Sequence, residues 1–190
     1  MRTFIAFDIG DETRLALKAA QKAMGRLAGV RWVDTKDIHL TLKFIGEIED
    51  SKIPAVFEVM RAAVAGVEPI DFEVSGLGWF PPGRRPRVIW AGVETAREMA
   101  EVARRVEDGM AALGVPPEGR AFKPHLTIGR TRGALDAGEL EEALSKVVRR
   151  DFGQEVAGEL VLYMSRLLPT GAEYTRMGAV KLPGKQKEVD

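Results

Sequence analysis

A chain of 190 residues with 28 basic and 28 acidic side chains has no net charge, so nothing demands a long polyanion as partner; local clusters still leave small anions and RNA ends open. Cysteine is absent, which excludes disulfides, thiolate metal sites and thiol nucleophiles. The length suits one good core or two small lobes sharing a cleft.

No apolar run approaches the roughly 18 residues of a membrane span, and Met1-Arg2-Thr3-Phe4-Ile5 lacks a signal-peptide layout. Asparagine is missing and glutamine scarce in a chain that is 29% charged, a depletion of heat-labile amides that points to a thermophilic source. A cytoplasmic, monomeric protein without membrane contact is expected.

Thr3 to Asp8 is an apolar run of strand length, closed by Asp8-Ile9-Gly10-Asp11. A helix is predicted from Glu12 to Leu27, capped by Asp11 or Thr13, ending near Gly29, with Leu15, Ala19, Met24 and Leu27 at helical spacing. Ile38 to Ile45 alternates as a strand does. Ile38, Leu40, Leu42 and Phe44 share one face; His39, Thr41 and Lys43 share the other. Asp50-Ser51 caps a helix carrying Ile53, Phe57, Met60 and Val64, and Ile70, Phe72 and Val74 mark another strand.

The order then repeats. Arg87 to Val93 is a strand, reached through Pro81-Pro82-Gly83, and a helix from Thr95 to Leu113 presents Met99, Val102, Val106 and Met110 before Gly114 ends it. After a loop marked by Pro116-Pro117 and Gly119, Pro124 to Gly129 forms a strand. Leu140, Leu144 and Val147 mark a fourth helix; Val156 to Leu167 and Glu173 to Val180 are two further strands. Ile5 stands almost as far before His39 as Ile89 before His125. The expected fold is α+β: one bilobal domain over 1–190 with pseudo-symmetric lobes of mixed or antiparallel sheet, helices outside and a central cleft. The lobes are expected at roughly 1–68 and 69–190.

The chain's two histidines open the same tripeptide, His39-Leu40-Thr41 and His125-Leu126-Thr127. Chance repetition is remote at ordinary Leu and Thr frequencies, so the pair argues for internal duplication. On a strand His39 and Thr41 point the same way, about 7 Å apart, and the second motif behaves alike. Two strands facing across a cleft would gather two imidazoles and two hydroxyls. Imidazole titrates near neutrality, so one ring can act as base and the other as acid. Thr41 and Thr127 can donate hydrogen bonds to phosphoryl oxygens, and Lys43 and Lys123, which share the parity of the histidines, add positive charge. A single exposed histidine is usually a surface residue; duplicated context weighs against that for the pair. A metal held by both histidines with Asp34, Asp37 or Glu47 is the other reading, but the second motif has only Glu118 shortly before it. A phosphate-ester site without metal or cofactor is expected.

The stretches His39-Leu40-Thr41-Leu42-Lys43-Phe44-Ile45-Gly46 and His125-Leu126-Thr127-Ile128-Gly129-Arg130 resemble the 2H phosphoesterase superfamily, in its LigT-type branch. Arg2-Thr3-Phe4-Ile5-Ala6-Phe7, Pro86-Arg87-Val88-Ile89-Trp90 and the overall length fit as well, so the resemblance covers nearly the whole chain. It implies a bilobal fold with a pseudo-twofold axis and metal-independent opening of RNA 2′,3′-cyclic phosphates to 2′-phosphomonoesters. RNA ends or nucleotides are the implied partners. It also implies His39 as proton donor, His125 as proton acceptor, and Arg130 near the phosphate. Strict parity puts Arg130 on the face opposite His125, so it reaches the site only if the strand ends or bulges at Gly129. The branch has also been called 2′-5′ RNA ligases, which keeps the reverse reaction open. A non-catalytic nucleotide or RNA-binding module with the same cleft is the alternative from another class.

Three further groups are read more simply. Arg84, Arg85 and Arg87 with Trp79 and Phe80 combine charge and aromatics as RNA-binding loops do. Phe122 has core parity, and Lys18, Lys22 and Arg26 form a solvated helix stripe.

Overall fold

The computed structural model describes residues 2–95, 97–119, 121–133, 135–168 and 171–183. Its elements run β1 (Arg2–Phe7), α1 (Asp11–Met24), β2 (Val30–Trp32), β3 (Leu40–Glu47), α2 (Ile53–Val64), β4 (Ile70–Phe80) and β5 (Val88–Thr95). They continue with α3 (Arg97–Ala112), β6 (His125–Thr131), α4 (Ala137–Ser145), β7 (Asp151–Ala157), β8 (Glu159–Leu168) and β9 (Gly171–Lys181). The strands form one curled antiparallel sheet in the order β7-β4-β5-β6-β3-β1-β8-β9, with the short β2 added beside β6. The α+β expectation holds. Among the described residues no helix is long and apolar enough to cross a membrane.

The sheet order is symmetric about the β6–β3 junction. β3, β1, β8 and β9 lie on one side; β6, β5, β4 and β7 lie on the other in matching order. The division expected near Glu68 does not follow this symmetry, because β8 and β9, late in the chain, complete the half that β1 begins. β1 is the reason. Phe4, Ile5, Ala6 and Phe7 are all buried, so the strand has both faces covered and cannot serve as an open edge. β8 pairs with it along its whole length, from Arg2 opposite Ser165 to Phe7 opposite Leu160.

We propose that the chain folds as one cooperative unit. Residues 1–68 alone lack β8 and β6, the two neighbours of β1 and β3, and should show no cooperative thermal transition by circular dichroism. A sharp, reversible transition in that fragment would contradict the proposal.

Helices cross between the halves. α2 packs with α3 near β8 and β9, whereas α1 packs against β7 and α4. α3 buries Met99, Val102, Val106 and Met110, the stripe its sequence shows. α1 departs from its apparent stripe: Leu15 is 67% exposed, and the inward face is Thr13, Leu17, Ala20, Gln21 and Met24. Hydrogen bonding admits a polar residue to that face, as Gln21 shows below. The helix also stops at Met24, where Gly25 turns with φ 72°, earlier than the expected Leu27. Further along, Gly158 divides what reads as one strand from Val156 into β7 and β8.

Candidate active site

The two motifs lie on neighbouring strands of one sheet, where the sequence suggests strands facing across a cleft. Leu40 pairs with Leu126 in antiparallel register. That register sets His39 opposite Thr127 and Thr41 opposite His125, so each imidazole has a hydroxyl beside it. The histidines occupy a diagonal, with α-carbons roughly 8–9 Å apart if pairing is regular. Leu40, Leu126 and Ile128 are fully buried beneath them.

A bulge follows each threonine. Along β1, Ala6 pairs with Thr41 and Ile5 with Lys43, so Leu42 is the extra residue. Along β5, Trp90 pairs with Thr127 and Ile89 with Gly129, so Ile128 is extra. Each bulge reverses the alternation beyond it. Lys43, expected beside His39, therefore turns to the helix side. It is 1% exposed, pairs with Glu107 at 2.8 Å and donates to the Pro116 carbonyl at 3.0 Å, so it does not reach the histidines. The same reversal brings Arg130 to the His125 face, where its charge acts on both imidazoles. Phe44 holds the equivalent place on β3. Expected in the core, it is instead 57% exposed.

Each bulge is supported by a helix from the other half of the chain. From α1, the Gln21 Nε2 donates to the carbonyls of Val33 (2.8 Å) and Ile128 (2.9 Å), and the latter also accepts from the Val33 amide at 2.9 Å. The unpaired carbonyl that a bulge leaves is thereby satisfied. From α3, Glu107 takes the Lys43 ammonium and the Glu118 amide.

The histidines are oriented alike and solvated differently. His125 Nδ1 lies 2.7 Å from the Lys123 carbonyl, which can only accept, so Nδ1 carries the proton and Nε2 is left for chemistry. His39 has the corresponding backbone hydrogen bond two residues upstream, to Asp37. The Lys123 side chain is exposed and lines a cavity of about 370 Å³ with Phe80, Trp90 and His125. His39 lies against three rings: Phe4 stacked at 4.5 Å, Tyr174 edge-on at 5.1 Å and Tyr163 at 5.9 Å. Among the described residues His125 meets one ring, Phe80, edge-on at 5.1 Å. Burial lowers the pKa of His39 to about 4; Arg130 and Arg14 add to this, against the Asp37 hydrogen bond and the Asp8 carboxylate. Burial lowers His125 too, with Arg130 acting the same way and the Lys123 hydrogen bond opposing it. Asp8 in turn accepts from the Tyr163 hydroxyl at 2.6 Å.

This has a consequence for stability. An imidazole that binds its proton near pH 6.5 when unfolded and near 4 when folded favours the unfolded state as pH falls between those values. Stability contributed by neutral His39 is complete above pH 6.5 and lost on acidification toward 4. Urea unfolding at pH 7 and pH 4.5 should show the unaltered protein losing about 2 kcal/mol more than His39→Gln. Equal losses would show that His39 is not held neutral by burial.

Other candidates fall into place around the pair. Arg84, Arg85 and Arg87 are exposed near the turn between β4 and β5, and Phe80 reaches His125. Phe122 packs against the core, and Lys18, Lys22 and Arg26 are exposed. The chain's two tyrosines, both against His39, are passed over by sequence reasoning, as are Phe4 and Gln21. Beside the motifs lies a cleft of about 760 Å³ lined in part by Phe4, Phe44, Arg130 and Tyr174.

The sequence profile of a family described as LigT like Phosphoesterase matches residues 8–90 and 92–174, one motif in each stretch. An RNA 2′,3′-cyclic phosphodiesterase of Methanothermobacter thermautotrophicus is 31% identical over 183 residues, covering 96% of this chain and 99% of its own. One of Thermotoga maritima is 35% identical over 177 residues, covering 92% and 91%. Among solved structures, a Thermus thermophilus protein superposes with TM-score 0.82 at 27% identity, covering 98% of this chain and all of that one. E. coli LigT complexed with 3′-AMP shares the fold, with TM-score 0.76 at 24% identity and coverage of 96% and 98%.

Proposed function

The chain belongs to the LigT-like phosphoesterase family, and from that membership we propose that it is an RNA 2′,3′-cyclic phosphodiesterase that opens the ring to a 2′-phosphomonoester. The observation that carries the reading is the antiparallel pairing of Leu40 with Leu126, a register that sets two imidazoles on one diagonal of a sheet face and two hydroxyls on the other. Relatives named for this activity, alike over nearly their full length, support it.

In the proposed reaction a water oxygen attacks phosphorus and the bond from phosphorus to O3′ breaks. His125 takes the water proton through Nε2, and His39, neutral in the free protein but drawn to imidazolium by the bound phosphate anion, protonates the departing O3′. The two rings end with their protons exchanged and return to the starting state through solvent. Thr41 and Thr127 donate to the non-bridging oxygens, and Arg130 balances the added negative charge as the pentacoordinate state forms. Lys123 contributes its carbonyl, which holds the His125 tautomer, and a cation nearby. No metal ion or cofactor enters this scheme.

The pH dependence follows from the two lowered pKa values. One ring must be protonated and the other neutral, so kcat/KM traces a bell set by the free protein's pair. Both limbs should fall on the acid side of pH 6.5, given the direction of both shifts. A bound phosphate anion favours imidazolium, so the bell in kcat should lie at higher pH than that in kcat/KM. Coincident bells centred above pH 7 would contradict this electrostatic reading.

Turnover of a nucleoside 2′,3′-cyclic phosphate in the presence of EDTA tests the proposal. Undiminished hydrolysis is expected. Binding without hydrolysis would leave a nucleotide-binding module, and activity lost to EDTA and restored by zinc or manganese would end the metal-free reading.

A further inference from the structure

The larger cleft carries more positive charge than a single phosphate requires. β2 pairs with β6 so that Arg31 stands directly opposite Arg130, an arrangement of like charges that is unfavourable unless an anion lies against both. Arg132 follows, its backbone amide tied to the Gly29 carbonyl at 2.6 Å, and Arg2 enters from β1. Among the described residues, the side chains of Arg2, Arg31 and Arg132 make no hydrogen bond or ion pair. Elsewhere Arg61, Arg104, Arg105 and Arg176 pair with carboxylates, whereas these three arginines gather unpaired at one cleft. Asp34 and Asp37 also line the cleft, but Asp34 caps a turn through the Lys36 amide and pairs with the Lys36 ammonium at 3.8 Å. Asp37 is half-buried.

Aromatic surface accompanies the charge. Phe44, 57% exposed, has been turned into the cleft by the β3 bulge, and Tyr174, edge-on to His39, lines the same cleft. Free guanidinium groups beside an exposed ring and a half-buried one are the chemistry of a single-stranded nucleic acid track, in which charge follows the backbone and rings receive bases. The cavity on the His125 side is lined by a single cation, Lys123, together with a carboxylate, Glu94.

We infer that this cleft holds the RNA chain on the 5′ side of the reacting end, with Arg31 and Arg132 on its phosphates and Phe44 and Tyr174 as base-stacking faces. The inference rests on the phosphodiesterase reading and narrows its substrate class. Oligoribonucleotide ends are preferred to free cyclic mononucleotides.

The test compares cytidine 2′,3′-cyclic phosphate with a tetraribonucleotide ending in a 2′,3′-cyclic phosphate. In the unaltered protein kcat/KM should favour the tetramer, and Arg31→Ala/Arg132→Ala should reduce that preference at least tenfold. Independently of turnover, fluorescence anisotropy with a tetramer ending in a 2′-phosphate gives the dependence of log Kd on log salt. Two lost phosphate contacts should lower its slope by about 1.4. Lys18→Ala/Lys22→Ala removes the same charge from the exposed face of α1 and should change neither quantity. An unchanged preference and slope in the arginine variant, or equal changes in the lysine variant, would overturn the inference. If neither substrate is hydrolysed, the phosphodiesterase reading fails while the salt slope still decides the track.

Discussion

Alanine in place of His39 or of His125 should lower kcat on a 2′,3′-cyclic phosphate by about 10²–10⁴, the usual weight of a general acid or base. The two rings serve one step, one supplying a proton to O3′ and the other removing one from water. Once either is gone the remaining ring has no complementary partner, so the double variant should be scarcely slower than the slower single one. Multiplicative losses would mean that the histidines act in separate steps. Near-full turnover in His125→Ala would end the two-histidine mechanism and leave the sheet face as a binding surface. His39→Ala also opens space against Phe4, Tyr163 and Tyr174. His39→Gln, closer in size, should show the same loss in kcat without that packing defect.

Glu107→Ala should be among the most destabilising single substitutions in the molecule. Lys43 is 1% exposed, and its ammonium has Glu107 and the Pro116 carbonyl for partners. Removing the carboxylate leaves a buried cation without counter-charge and takes the acceptor from the Glu118 amide as well. Breaking a buried pair from one side costs roughly 3–5 kcal/mol; with the Glu107 side chain 28% exposed, about 3 kcal/mol by urea unfolding is expected. Lys43→Met with Glu107→Leu should recover most of that loss, because two well-packed apolar residues need no charge compensation. A cost below about 1 kcal/mol for Glu107→Ala would show that the pair does not anchor the β3 bulge.

Periodicity carries far in this chain because most elements bury one simple stripe. Leu40 and Leu126, the α3 stripe and the repeated order of elements are legible for that reason. The failures share a physical cause, which is that a β-bulge reverses side-chain direction without leaving a clear mark in residue type. Lys43 and Phe44 exchange the faces that alternation assigns them, and Arg130 comes round to the histidines by the same device at Ile128. Gln21 was hidden by its polarity, since a buried amide serving two carbonyls reads in sequence as a surface residue. The return of β8 to β1 is a long-range pairing that no local pattern encodes. Its trace lies in β1, too apolar on both faces for an edge. Both tyrosines flanking His39 come from β8 and β9, so the ring environment that lowers its pKa was invisible until those strands were placed.

Product analysis on a defined RNA carrying a 2′,3′-cyclic phosphate, run with EDTA and a 5′-hydroxyl RNA present, decides whether the histidine pair opens the ring by hydrolysis. A 2′-phosphomonoester is expected as product, formed by the unaltered protein and nearly absent with His39→Gln or His125→Ala. A 3′-phosphomonoester, joined RNA as the main product, or an intact cyclic end that is bound and never opened would contradict this mechanism.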